Sequence, residues 1–216
     1  MNSNEWCQRT IFRVFIMLLL LTVAVKVVAN DTIFIKVHFL YGSKPQRAFK
    51  DTESKWLGGR LGGHVGIEVE PNKIIDFVPS GKFHWFAKPN NKHSKFVIHD
   101  EDGFWTVFGG RAAAAKKASI TIPITADQKQ RLDQIFTAYT TTTPYDYAFV
   151  GMRCAAAAYD ILSQLGIVKA YSYHKTYRKI YYPRKLRKQL LKKATKHGWA
   201  ISKQPGISDR RKWERG

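Results

Sequence analysis

Cys154, in "YDYAFVGMRCAAAAYDIL", and His64, in "GGRLGGHVGIEVE", are the two residue types that together make a nucleophile and its base. Only the thiolate attacks, and a helix start favours it: the first turn leaves backbone N–H groups unpaired and carries a partial positive charge. The alanines after Cys154 read as such a helix, with Arg153 adding its own charge. The competing reading makes Cys154 a small apolar residue packed among those alanines, since cysteines are more often buried than catalytic. Cysteine usage leans toward chemistry. Of the two cysteines, Cys7 falls in an N-terminal leader, so after export Cys154 has no disulfide partner. A solitary thiol in an oxidising compartment is a liability unless it is buried or used.

A strand must place the histidine. In "HVGIEVE" alternate residues share a face, so His64, Gly66, Glu68 and Glu70 point one way, away from the core, and Val65, Ile67 and Val69 point into it. "HVGIEVE" and "KIIDFV" read as a hairpin around Pro71 and Asn72. With Glu70, Pro71 and Asn72 as its loop, Val69 pairs with Lys73, Ile67 with Ile75 and Gly66 with Asp76. Asp76 then lies diagonally across from His64 on one face, about 7–8 Å away between Cα atoms, where an acid can orient an imidazole. A two-residue turn would put Asp76 on the other face and leave Glu68 as the nearer acid. The third member of the set is open between them.

The remaining elements follow from composition and period. Strands are expected at 32–41, 82–86, 95–99, 104–108 and 118–124, with a long glycine-punctuated connection between the first of these and His64. Thr125 and Gln128 form a capping box, which places a helix over 126–139, and residues 140–151 read as a loop. The cysteine helix stops at Gly166. Pro183 opens another that ends at Gly198, after which "WAIS" and "RRKWER" read as short strands. The pattern is α+β: an antiparallel sheet packed against helices, with the cysteine at a helix N-terminus.

"GGHVGIEVEPNKIIDF" resembles the histidine strand of NlpC/P60-type papain-like cysteine peptidases, in which a third polar residue follows the histidine by twelve, as Asp76 follows His64. The usual family order puts cysteine first. Here "HVGI" precedes the cysteine helix, an order similar to the circularly permuted branch that includes YiiX-like and lecithin:retinol acyltransferase-like proteins. The resemblance covers about Gly62 to Leu165. It implies a papain-like fold with Cys154 as nucleophile, His64 as general base and acid, and Asp76 as orienter. Asp departs from the commoner His, Asn, Gln or Glu at that place. The tyrosine that assists the oxyanion in the family has approximate matches in Tyr145 and Tyr147, and the Cys154 amide would be a second donor. No cofactor is implied, and His84, His93 and His99 match no metal-ligand spacing.

Arg9 and Arg13 precede an uncharged apolar run over 15–25, and Val27, Val28 and Ala29 are small enough for signal peptidase. Residues 1–29 therefore read as a signal peptide or N-terminal anchor, residues 30–168 as the catalytic domain, and 169–216 as a basic segment completing it. Losing Arg9, Arg13, Lys26 and Glu5 with the leader takes the net charge from +20 to +18. Anionic partners are expected, and in an exported protein these are envelope polymers, acidic peptides or lipid head groups rather than nucleic acid. From Lys169 onward there are sixteen Lys or Arg against Asp209 and Glu214. Arg184, Lys185, Arg187, Lys188, Lys192 and Lys193 are the candidate anion-binding residues, with a membrane surface as a further contact. The expected activity is that of a thiol hydrolase in the periplasm or cell envelope. It would cleave amides such as peptidoglycan stem peptides through a Cys154 acyl-enzyme, or transfer the acyl group. The competing expectation is a non-catalytic basic protein that docks on anionic envelope material.

Overall fold

The structure, a computed structural model, describes residues 33–41, 63–81, 84–107 and 116–206. The leader, most of the connection before His64 and the "RRKWER" segment lie outside the described residues.

Runs of β-branched and aromatic residues become strands β1 (Ile33–Leu40), β2 (His64–Glu70), β3 (Lys73–Pro79), β4 (His84–Phe86), β5 (Ser94–His99) and β6 (Lys117–Ile124). β7 (Ala148–Val150) and β8 (Ile201–Gln204) are short. The helices are α1 (Glu101–Val107), α2 (Ala126–Thr141), α3 (Cys154–Gln164), α4 (Tyr173–Lys179) and α5 (Pro183–His197). Six strands form one sheet in the order β5-β3-β2-β1-β6-β8, every neighbouring pair antiparallel, while β4 and β7 make a separate parallel pair. The class is thus α+β, with a mostly antiparallel sheet packed by helices.

Alternation along the strands makes two unlike faces. Val37, Phe39, Val65, Ile67, Ile75, Phe77, Ile120 and Ile122 belong to the main core, together with the alanines, Ile161 and Leu162 of α3. The other face carries His38, His64, Gly66, Glu68 and Asp76, which a sequence pattern alone reads as the side away from the core. It is buried instead, because Phe104 and Trp105 of α1 close over it with Leu40 and Ile74 as a second, smaller core.

That helix replaces the strand expected over 104–108. Strand propensity in "FWTVF" is overruled by a helix start just upstream: Asp100 accepts from the Gly103 amide, Asn72 Oδ1 accepts from the Glu101 amide at 2.8 Å, and two acids occupy the first turn. Phe104 then lies on Gly66. A Cβ there would stand 2.6 Å from Ile74 Cγ2 and 2.7 Å from Phe104 Cε2. Gly66→Ala should therefore cost about 1–3 kcal/mol through overpacking, read as a lower thermal midpoint by calorimetry; an unchanged midpoint would contradict this close approach.

The hairpin register differs from expectation near its turn and agrees where it matters. Gly66 pairs with Asp76, Ile67 with Ile75 and Glu68 with Ile74, but Glu70 rather than Val69 faces Lys73. The turn is the two-residue one, Pro71 and Asn72, with Asn72 left-handed at φ 63°. A β-bulge between Glu68 and Glu70 absorbs the extra residue and restores Asp76 to the face of His64.

α2 starts on the Thr125 and Gln128 capping box and runs two residues past the expected Tyr139. β7 falls in the stretch read as loop, and α4 was not anticipated. Of "WAIS", only Ile201 and Ser202 join a strand. Pro183 and Gly198 bound α5 as expected, with Leu186, Leu190 and Ala194 buried.

Candidate active site

His64 is the first residue of β2 and Cys154 the first of α3, and the fold brings them together. Nε2 of His64 stands 3.1 Å from Oδ2 of Asp76, both side chains fully buried. That leaves Nδ1 for the thiol of Cys154, which is a charge and hydrogen-bond partner of the ring. Cys154 itself is buried.

Burial alone would push His64 below its ordinary value. The negative charges of Asp76 and of Cys154, with hydrogen bonds to both, overcome this and hold the ring up at about 9. Cys154 moves the opposite way. Burial would raise the thiol, but the charge of His64, the hydrogen bond to it and the charge of Arg153 pull it below its ordinary value, against a push from Asp76. Both shifts favour a thiolate beside an imidazolium. Arg153 is held for this role, since its guanidinium stacks 3.4 Å from the Tyr181 ring centre and donates to the Tyr181 carbonyl at 2.6 Å.

Of the two tyrosine candidates, one lies beside Cys154 and the other does not. Tyr147 meets Cys154: the cysteine's amide N–H donates to the Tyr147 hydroxyl, and the sulfur is in hydrogen-bond contact with it. Burial first, then the charge on Cys154, raises this phenol well above its usual range, so it stays a neutral hydroxyl able to donate to an oxyanion. Tyr145 is a packing residue. Its ring lies 5.4 Å from Phe77 between centroids, and its hydroxyl donates to Asp160 at 3.4 Å.

Glu68, the alternative orienter, is committed elsewhere. Its Oε2 lies 2.9 Å from His38 Nε2 and 3.1 Å from Lys36 Nζ, and His38 Nδ1 meets Ser119 Oγ at 2.7 Å. The hydrogen bond with His38 holds this carboxyl down at about 2, against burial and with help from Lys36.

One residue at the site escaped sequence reasoning. His99 Nε2 stands 3.6 Å from the same Asp76 oxygen, so the carboxylate lies between two imidazoles. The register explains it: Asp76 pairs with Val97 and Ile74 with His99, which makes His99 a diagonal neighbour of Asp76. Phe104 roofs the cluster, with ring centroids 5.8 Å from His64 and 6.5 Å from His99. Among the described residues no group of three or more His, Cys, Asp or Glu is arranged to hold a metal ion.

The six basic candidates of the C-terminal segment do not form one cationic face. Arg184, Lys185, Lys188 and Lys192 are exposed. Arg187 is buried with its guanidinium 3.4 Å from the Tyr41 ring centre, and Lys193 Nζ donates to the Ile167 carbonyl at 2.7 Å. Amphipathic stems explain this, because Arg and Lys pack along apolar surface and on aromatic rings as readily as they face water.

The chain matches no family model, no curated protein and no solved structure. No helix among the described residues is long and apolar enough to cross a membrane.

Proposed function

We propose that this chain is an exported thiol hydrolase of the permuted papain-like, NlpC/P60 type, acting on cell-envelope amides, with peptidoglycan stem peptides as the first substrate class. The observation that carries the reading is the meeting of a helix-start thiol, an imidazole raised to about 9 and a buried carboxylate 3.1 Å from that imidazole. Chain order supports the permuted arrangement, since the histidine strand β2 precedes the cysteine helix α3.

In this mechanism the Cys154 thiolate attacks the carbonyl carbon, and charge develops on its oxygen. The neutral Tyr147 hydroxyl beside the sulfur is the donor for that charge. The imidazolium of His64 gives its proton to the leaving amine as the C–N bond breaks, producing a thioester. Neutral His64 then takes a proton from water, whose hydroxide attacks the thioester and releases acid and thiolate. Asp76 keeps the ring oriented and steadies its charge throughout.

The test uses the full chain and Cys154→Ala on peptidoglycan fragments and on simple amides and esters, with intact-mass detection of an acyl adduct. Turnover and an adduct are expected on the wild type, and neither on the variant. Undiminished turnover by Cys154→Ala would overturn the assignment.

A further inference from the structure

The parallel pair β4 and β7 bears a face that the catalytic reading does not use. On one side of it Phe86 is 70 % exposed, Val150 38 % and, beside them on α4, Tyr173 38 %, while Trp85 points to the other side of β4, its ring 5.1 Å from that of Phe149 between centroids. Phe86, Val150 and Tyr173 also line a groove of about 440 Å³, with Tyr145 and Tyr177 deeper in it. Soluble proteins seldom leave large apolar side chains clustered in water without a partner.

The charge around the groove indicates which partner. Lys88 and Lys92 follow β4, and Lys175 and Arg178 lie on α4, all exposed. Residues 84–93 and 169–182 contain no acidic side chain. The one acid lining the groove, Asp146, is buried with its oxygens taken up from within: His84 Nδ1 lies 2.6 Å from Oδ2, and the Lys88 and His93 amides donate to the carboxylate at 2.9 and 2.8 Å. Exposed Phe, Val and Tyr on segments that also carry exposed Lys and Arg suit the boundary between acyl chains and anionic head groups, where rings enter the interface and cations meet phosphates.

We propose that the face formed by β4, β7 and α4 docks on an anionic lipid surface. Val150 leads through Gly151, Met152 and Arg153 into Cys154, so docking brings the start of α3 close to the bilayer. The docking does not depend on the hydrolase assignment, and Cys154→Ala should dock as the wild type does.

Hydrogen exchange of the full chain reads this segment by segment, so binding through other parts of the chain does not obscure it. Vesicles of phosphatidylcholine containing phosphatidylglycerol should slow exchange several-fold in residues 84–88, 148–150 and 173–178, and added salt should relieve the slowing. Phosphatidylcholine alone should not produce it. Phe86→Ser with Val150→Ser, and separately Lys88→Glu with Lys175→Glu, should abolish the slowing; these exposed changes should leave exchange without vesicles as in the wild type. The proposal is overturned by unchanged exchange in these segments, by equal slowing with neutral vesicles, by slowing that survives either double variant, by slowing confined to α5, or by equal slowing with soluble polyphosphate in place of vesicles.

Discussion

Asp76→Ala should lower kcat/KM on the order of 10³-fold and reduce unfolding free energy by about 3 kcal/mol. The rate loss follows from geometry. Oδ2 of Asp76 stands 3.1 Å from Nε2 of His64, and without it nothing on β3 holds the ring with Nδ1 toward the sulfur. The stability loss follows from burial, because the His64 side chain is fully enclosed and would face the Cys154 charge with its own charge no longer supported by Asp76. Asp76→Asn separates the two effects. It keeps an acceptor for the ring proton and loses the charge, so it should recover most of the rate while the alkaline limb of the pH profile moves below about 9, the value that Asp76 helps to set. Steady-state kinetics and urea unfolding on both variants check this; a fully active Asp76→Ala would contradict it.

The second large effect is on pH. A raised histidine and a lowered thiol give an ion pair only between their two folded values, so kcat/KM should be bell-shaped. The alkaline limb should lie near about 9, where His64 loses its proton, and the acid limb below the ordinary thiol value, where Cys154 gains one. The same pair affects stability with opposite signs at its two ends. His64 is raised on folding, so its contribution is complete below its ordinary value of 6.5 and is lost as pH climbs through about 9. Cys154 is lowered on folding, so its contribution is present above the ordinary thiol value and is lost as pH falls through the folded one. His64→Ala should erase the acid-side advantage and slow alkylation of Cys154 at neutral pH, since without the charge and hydrogen bond of His64 the thiol rises and less of it is thiolate. Alkylation rates resolved at the Cys154 peptide, followed against pH, measure this.

The meeting of His64 and Asp76 on one face was legible for a simple reason: strand alternation and a short hairpin are local, and local geometry follows from residue order. Gly66 opposite Asp76 needs only a turn and a count. Yet the count came right through two compensating departures. The turn is two residues, and the bulge between Glu68 and Glu70 cancels the slip that such a turn would cause. No residue type there announces a bulge. α1 runs against composition: "FWTVF" has the make-up of a strand, while the signal that outweighs it, Asp100, Glu101 and Asp102 at a helix start, stands just before the run. His99 and the burial of Arg187 were beyond reach for another reason. Both depend on contacts between distant segments, β5 on β3 and α5 against Tyr41, which pattern within a segment does not specify.

On this mechanism Cys154 rests as a thiolate paired with His64. The ultraviolet absorbance of the thiolate, titrated against pH with Cys154→Ala subtracted to remove Cys7 and the tyrosines, reads that state directly. A midpoint well below the ordinary thiol value, moving upward in His64→Ala, is the predicted result. A midpoint at or above the ordinary value, indifferent to His64, would contradict it.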